Sequence, residues 1–157
     1  MQSISFKLLK QLPKVELHCH LDGSLRTKSI IDQAERDKIK LPSHELDTLD
    51  KHLRIGKNRG TLEEYIQRFD ITLSVMQTPE SLKRFAFELI EDVAKENVRY
   101  IEVRYSPILH TQKEMTLNTA LESVQKGLKK GEKIFGVKSG IIVCGIRHIS
   151  PDVSLKL

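Results

Sequence analysis

The chain has 157 residues, of which 39% are hydrophobic, 30% charged and 5% aromatic, the size and composition of one globular domain spanning residues 1–157. Two Cys exclude a disulfide scaffold, the aliphatic content excludes a disordered tail, and no run of ~18 uncharged apolar residues exists to form a transmembrane helix. Lys and Arg number 26 against 21 Asp and Glu, a net charge of +5. The basic residues are dispersed, and the densest segment, Lys126 to Lys133, has no interleaved aromatics to stack on bases. It reads as a solvated helix face, so neither a nucleic-acid nor a membrane partner is expected.

Met1 to Gln11 carries Lys7 and Lys10 inside its apolar run and lacks a small-residue cleavage site, so it does not read as a signal peptide. With two apparently unpaired Cys, this points to the cytoplasm. The first strand is predicted over Lys14 to Leu21, entered through Pro13. Val15, Leu17, Cys19 and Leu21 alternate there with Glu16, His18, His20 and Asp22, which places each set on its own face. Asp22-Gly23-Ser24 breaks the strand, with Gly23 suited to a positive φ or to close approach of a ligand. A helix follows over Thr27 to Lys38, and a short one is expected over Ser43 to Leu53. Thr61 and Glu64 have capping-box spacing and open a helix through Met76, with Leu62, Tyr65, Ile66, Phe69 and Leu73 on one stripe. Thr78-Pro79 opens the next helix, whose core stripe is Leu82, Phe85, Ala86, Leu89, Ile90 and Val93. A second strand is predicted over Val98 to Ser106, a helix weakened by Gly127 and Gly131 over Leu117 to Phe135, and a third strand over Ser139 to His148. Strands joined by helical crossovers imply an α/β fold with a parallel sheet. A closed (β/α)8 barrel needs ~250 residues, so this is either an open α/β domain or the first part of a barrel.

His18 and His20 leave the same strand face with Cβ atoms about 6.5–7 Å apart by strand rise. Two neutral imidazoles so placed can converge on one metal ion, zinc being the commonest, and the carboxyl end of a strand is where reactive groups gather in α/β folds. Two structural histidines would show the same spacing. Cys19 faces the other way and reads as a small buried hydrophobe behind the site, as does Cys144. Asp22 shares the histidine face, either as a turn residue or as an acceptor for a polar ligand.

The segment Leu12-Pro-Lys-Val-Glu-Leu-His18-Cys-His20-Leu-Asp22-Gly-Ser24 resembles the N-terminal signature of the adenosine deaminase family, zinc enzymes on a TIM (β/α)8 barrel of the metal-dependent hydrolase type. Val98 to Pro107 is similar to that family's second strand, and Gly145-Ile-Arg147-His148 to the end of its third. The resemblance implies that His18 and His20 are the first two Zn2+ ligands and that Asp22, beside Gly23, binds a ribose hydroxyl. It implies a lid helix from Thr61 whose Leu62, Tyr65, Ile66 and Phe69 wall a purine pocket, with Ile146 nearby. Arg104, Arg147 and His148 become polar groups at the barrel mouth. The implied reaction is hydrolytic deamination of adenosine and deoxyadenosine to inosine and ammonia, in purine salvage. Relatives that act on adenine tend to carry Glu at the Asp22 position and those that act on N6-modified nucleotides Asn, so Asp22 favours a small-molecule purine nucleoside.

The departures are equally definite. The family's third His, metal-ligand Asp, catalytic Glu in a His-Ala-Gly-Glu segment and water-handling His do not occur here. The acid Glu and base His are expected beyond Leu157, leaving no catalytic residue within this chain. We expect an apparently truncated N-terminal part of the barrel, about its first three strands, that is inactive alone, since a catalytic zinc takes three or more protein ligands. The oligomeric state is not readable. The His-x-Glu and Pro-Cys-x-x-Cys pattern of cytidine-type deaminases is absent. The alternatives are another amidohydrolase-type purine deaminase (acting on adenine, aminodeoxyfutalosine or N6-modified AMP), a two-metal amidohydrolase barrel, and a non-catalytic half-barrel associating through an open sheet edge. Finally, Glu16 or Glu102 is expected to pair with Arg104 or Arg147 inside the barrel, because buried charges need partners.

Overall fold

The computed structural model describes residues 4–54, 61, 66–147, 149–155 and 157. Its elements, in order, are α1 (Phe6–Gln11), β1 (Lys14–His20), α2 (Thr27–Asp37), α3 (Leu46–Leu53), α4 (Phe69–Ser74), α5 (Pro79–Lys95), β2 (Val98–Tyr105), a 3-10 turn (Pro107–His110), α6 (Leu117–Phe135), β3 (Lys138–Val143) and α7 (Pro151–Ser154). The strands form one parallel sheet in the order β1-β2-β3. The expected α/β alternation is present. Helix α1 was not foreseen. It is capped by Ser5, whose hydroxyl accepts from the Leu8 amide at 3.2 Å.

Local chemistry explains the long helices. At the start of α5 the Thr78 hydroxyl accepts from the Ser81 amide, and the Ser81 hydroxyl accepts from the Thr78 amide, both at 3.2 Å. Pro79 occupies the first turn, where a missing N–H costs nothing. Thr116 caps α6, and Gly136 ends it with a left-handed φ of 72°. Gly127 and Gly131 do more than weaken α6. A Cβ at Gly131 would lie 2.6 Å from Ile90 Cβ, and one at Gly127 would lie 2.8 Å from Ala86 Cβ and overlap the Lys83 carbonyl. The two glycines form the groove that lets α6 lie directly on α5.

The core is one-sided. Ile101, Val103 and Tyr105 of β2 point to the helices, where they meet Phe85, Leu89 and Ile90 of α5 and Val124 and Leu128 of α6. Leu21 and Ile30 are fully buried with them. The apolar face expected of β1 is only half realised: Cys19 packs on the core, while Val15 is 61% and Leu17 59% exposed. Parallel pairing also slips between Glu16 and Cys19, so β1 does not alternate regularly. Arg26 ties the start of α2 to the end of α5, donating to Asp92 at 2.6 and 2.7 Å and to Glu91 at 2.5 Å.

All three strands end earlier than expected. Strand β1 ends at His20, β2 at Tyr105 and β3 at Val143, so Ser106 and Cys144-Gly145-Ile146 are loop residues past the strand ends. Of the helix expected from Thr61 to Met76, residues 62–65 lie outside the described residues, including Leu62, Tyr65 and the capping partner Glu64. The described part is Ile66-Gln67 and then α4, which begins only at Phe69.

Candidate active site

The carboxyl ends of β1, β2 and β3 open onto one cleft of about 750 Å³. Its polar lining includes His18, His20, Asp22, Arg104, Ser106 and Cys144, with Gly23 beside them, and its apolar lining Ile66, Phe69, Leu73, Leu109 and Ile146. The structure thus brings together the expected site residues His18, His20, Asp22, Gly23, Ile66, Phe69 and Ile146. Leu62 and Tyr65 lie outside the described residues, as does His148.

The two histidines behave as strand geometry requires. Their ring centroids are 5.4 Å apart, tilted by 45°, at the last turn of backbone before β1 ends. Burial holds the His20 imidazole below its usual pKa. Asp22 opposes that effect from 3.7 Å, and the cationic neighbour Arg104 and His18 reinforce it. A neutral imidazole is the form that donates a lone pair to a metal.

Asp22 is buried, with only 8% of the residue exposed, and its Oδ1 has no hydrogen-bond partner. Burial raises its carboxyl pKa, against the pull of His20 and of the Asp22 and Gly23 amides. Gly23 is not needed for a left-handed turn, since its φ is not positive. A side chain there would meet the Phe69 ring at an ordinary 3.5 Å.

Two expectations are corrected. Cys144 does not lie behind the site. Past the end of β3 its Sγ accepts from Arg104 Nη2 at 3.4 Å, on the cleft side. Cys19 packs partly on the core and also lines the cleft, with its sulfur 3.3 Å from Ser24 Oγ and its thiol pKa raised by burial. The Glu–Arg pair is also not formed among the described residues. Glu16 accepts from the His18 amide at 2.8 Å and Glu102 from the Tyr100 hydroxyl at 3.0 Å, while Arg147 is exposed. Arg104 instead turns to His18, with Nη1 at 3.1 Å from both ring nitrogens. Glu16 escapes the cost of a buried charge because it is exposed. Sequence reasoning missed Ser106 and Leu109.

His18 and His20 supply two imidazoles with ring centroids 5.4 Å apart, a donor chemistry that suits a transition-metal ion, with Arg104 Nη1 against the His18 ring. Among the described residues no group of three or more His, Cys, Asp or Glu is placed to hold a metal ion.

A family model for adenosine deaminase matches residues 13–156. A curated adenosine deaminase of Clostridium perfringens (strain SM101 / Type A) is 48% identical over 144 residues, covering 92% of this chain and 43% of that protein. The solved adenine deaminase of Arthrobacter aurescens is similar with a TM-score of 0.80 at 27% identity, over 90% of this chain and 42% of that one. A zinc-bound cog1816 amidohydrolase from Burkholderia ambifaria shares the fold, with a TM-score of 0.80 at 24% identity over 96% and 41%. The three parallel strands and their crossover helices are the opening part of a (β/α)8 barrel, and the chain spans less than half the length of these relatives.

Proposed function

Because the chain belongs to the adenosine deaminase family, we propose that it forms the metal-and-ribose side of a zinc-dependent site for the hydrolytic deamination of adenosine and deoxyadenosine to inosine and ammonia. The observation that carries this is the facing pair of imidazoles 5.4 Å apart, with a buried carboxylate beside them at the same strand end. His18 and His20 would hold zinc, which supplies a water acidified enough to attack at neutral pH. The chain's own residues do the rest of the binding. Asp22 accepts a hydrogen bond from a ribose hydroxyl, and Phe69, Leu73 and Ile146 exclude water around the base. Arg104 and the burial of His20 keep that ring neutral and ready to donate its lone pair.

Among the described residues no group of three or more His, Cys, Asp or Glu is placed to make a full metal donor set. The isolated chain therefore binds nucleoside without turning it over. The Asp22 carboxylate repels a 5′-phosphate, so the substrate is a nucleoside rather than a nucleotide. This reading places the protein in purine salvage in the cytoplasm, with a small-molecule partner.

The test is equilibrium binding to the zinc-loaded 157-residue chain. Inosine should bind at least tenfold more tightly than its 5′-monophosphate, and Asp22→Asn should narrow that gap. Zinc retained after dialysis should fall in His18→Ala and His20→Ala. Absence of nucleoside binding, or a preference for the nucleotide, overturns the proposal.

A further inference from the structure

The last carbonyls of a helix have no partner within it. Two helical segments that border the cleft end in this way, α4 at Ser74 and the 3-10 turn at His110. One side chain serves both. Gln77, in the link between α4 and α5 and only 2% exposed, donates from Nε2 to the Leu73 carbonyl at 2.8 Å and to the Leu109 carbonyl at 2.9 Å. Its Oε1 accepts from the Gln112 amide at 3.1 Å, just past the turn. The His110 ring adds a bond in the opposite sense, with Nδ1 donating to the Met76 carbonyl at 3.1 Å. Segments 32 to 35 positions apart in the chain are laced together by these bonds. Leu73 and Leu109, the two residues whose carbonyls share the Gln77 nitrogen, both belong to the apolar lining of the cleft, whereas Gln77 itself does not line it.

We infer that Gln77 is a positioning residue for the ligand: its carboxamide fixes α4 against the 3-10 turn, and so sets the width of the apolar wall that Leu73 and Leu109 present to a base. The inference rests on the reading of the cleft as a nucleoside site. The chemistry of the position selects a carboxamide. Two carbonyls need donors and one amide needs an acceptor, and a primary amide supplies both kinds of group without a charge. An ionised glutamate would offer no donor and would set its charge against two carbonyl oxygens. Methionine has similar length and offers neither a good donor nor a good acceptor. Asparagine falls one methylene short. Without the clasp the two segments are held less firmly, and a ligand that packs between them has to order them as it binds, which weakens its affinity. Such coupling is reciprocal: if the closed clasp favours the ligand, the bound ligand favours the closed clasp to the same degree.

The experiment is titration calorimetry of inosine on the zinc-loaded 157-residue chain and its variants, joined to amide hydrogen exchange. Gln77→Met should weaken inosine about three- to tenfold. In a background where Leu73→Ala and Leu109→Ala have removed both positioned side chains, adding Gln77→Met should change the affinity by less than about twofold. A clasp that only stabilises the fold would give the same factor in both backgrounds. In the wild type, saturating inosine should slow exchange of the Gln112 amide, the donor to Gln77 Oε1, by about threefold or more. That measurement needs no variant and decides the matter even if Gln77→Met fails to fold. An unchanged affinity for inosine in Gln77→Met, an equal penalty in both backgrounds, or Gln112 exchange indifferent to bound inosine overturns the positioning role and leaves the nucleoside reading standing. Failure of the wild-type chain to bind inosine overturns both.

Discussion

His110 has no exposed surface, yet it is the most polar ring in the core. Its Nδ1 donates to the Met76 carbonyl at 3.1 Å, its Nε2 has no partner, and the Tyr105 ring lies 5.7 Å away, tilted by 43°. Burial outweighs the Met76 bond and pushes its pKa down to about 4. The unfolded chain would take up the proton near ~6.5, so between these values the unfolded state binds more protons. Stability from neutral His110 is complete above about pH 6.5 and is lost as pH falls towards 4, up to about 3 kcal/mol. His110→Asn retains a donor for Met76 but does not titrate there. In denaturant titrations at pH 7.5 and pH 5, the wild type should lose stability between the two while the variant loses less. An equal loss in both would show that His110 is not the acid-sensitive group.

At the scale of elements, the contact between α5 and α6 decides the packing of the whole outer layer. Helix propensity alone favours Ala over Gly by about 1 kcal/mol at an interior position. At Gly127 the added methyl would meet Ala86 Cβ at 2.8 Å and the backbone carbonyl of Lys83, and backbone cannot rotate away. Overpacking of this kind costs about 1–3 kcal/mol. Gly127→Ala should therefore lower the melting temperature despite its better intrinsic propensity. A rise would show that α6 is free to shift. Sequence reading saw these glycines as a weakness of the helix, because propensity is a property of one segment and the neighbour's backbone is not. The same limit explains Cys144. Alternation correctly assigns Cys19 to the core side, but the chain leaves the sheet after Val143, and from there period two no longer governs direction. The Thr78 cap and the His18–His20 convergence were legible because both depend on residues within four positions of each other.

For the molecule as a whole, β1 and β3 are the edge strands of the sheet among the described residues, and Val15 and Leu17 of β1 are largely uncovered. Phe6, 72% exposed, and Leu12 are further uncovered apolar residues just before β1. An open parallel edge beside exposed aliphatic side chains is a surface that pairs with other chains. The isolated chain should self-associate at micromolar concentration in light scattering, and Val15→Lys with Leu17→Lys should reduce this while leaving far-UV circular dichroism unchanged. A monodisperse monomer in the wild type would count against an adhesive face.

The residue order by itself determined the alternation of strand and helix, the caps that start α5, and the convergence of two imidazoles at the end of β1. Each arises from a repeat or spacing within one segment, where backbone geometry leaves few choices. Only the tertiary structure decided that Arg104 turns to His18 and Cys144 rather than to a glutamate, and that glycine is a packing surface in α6. Those depend on the pairing of strand ends 86 and 40 positions apart in the chain and on close approach of separate helices. Both are set by the sum of many contacts, which no local pattern records.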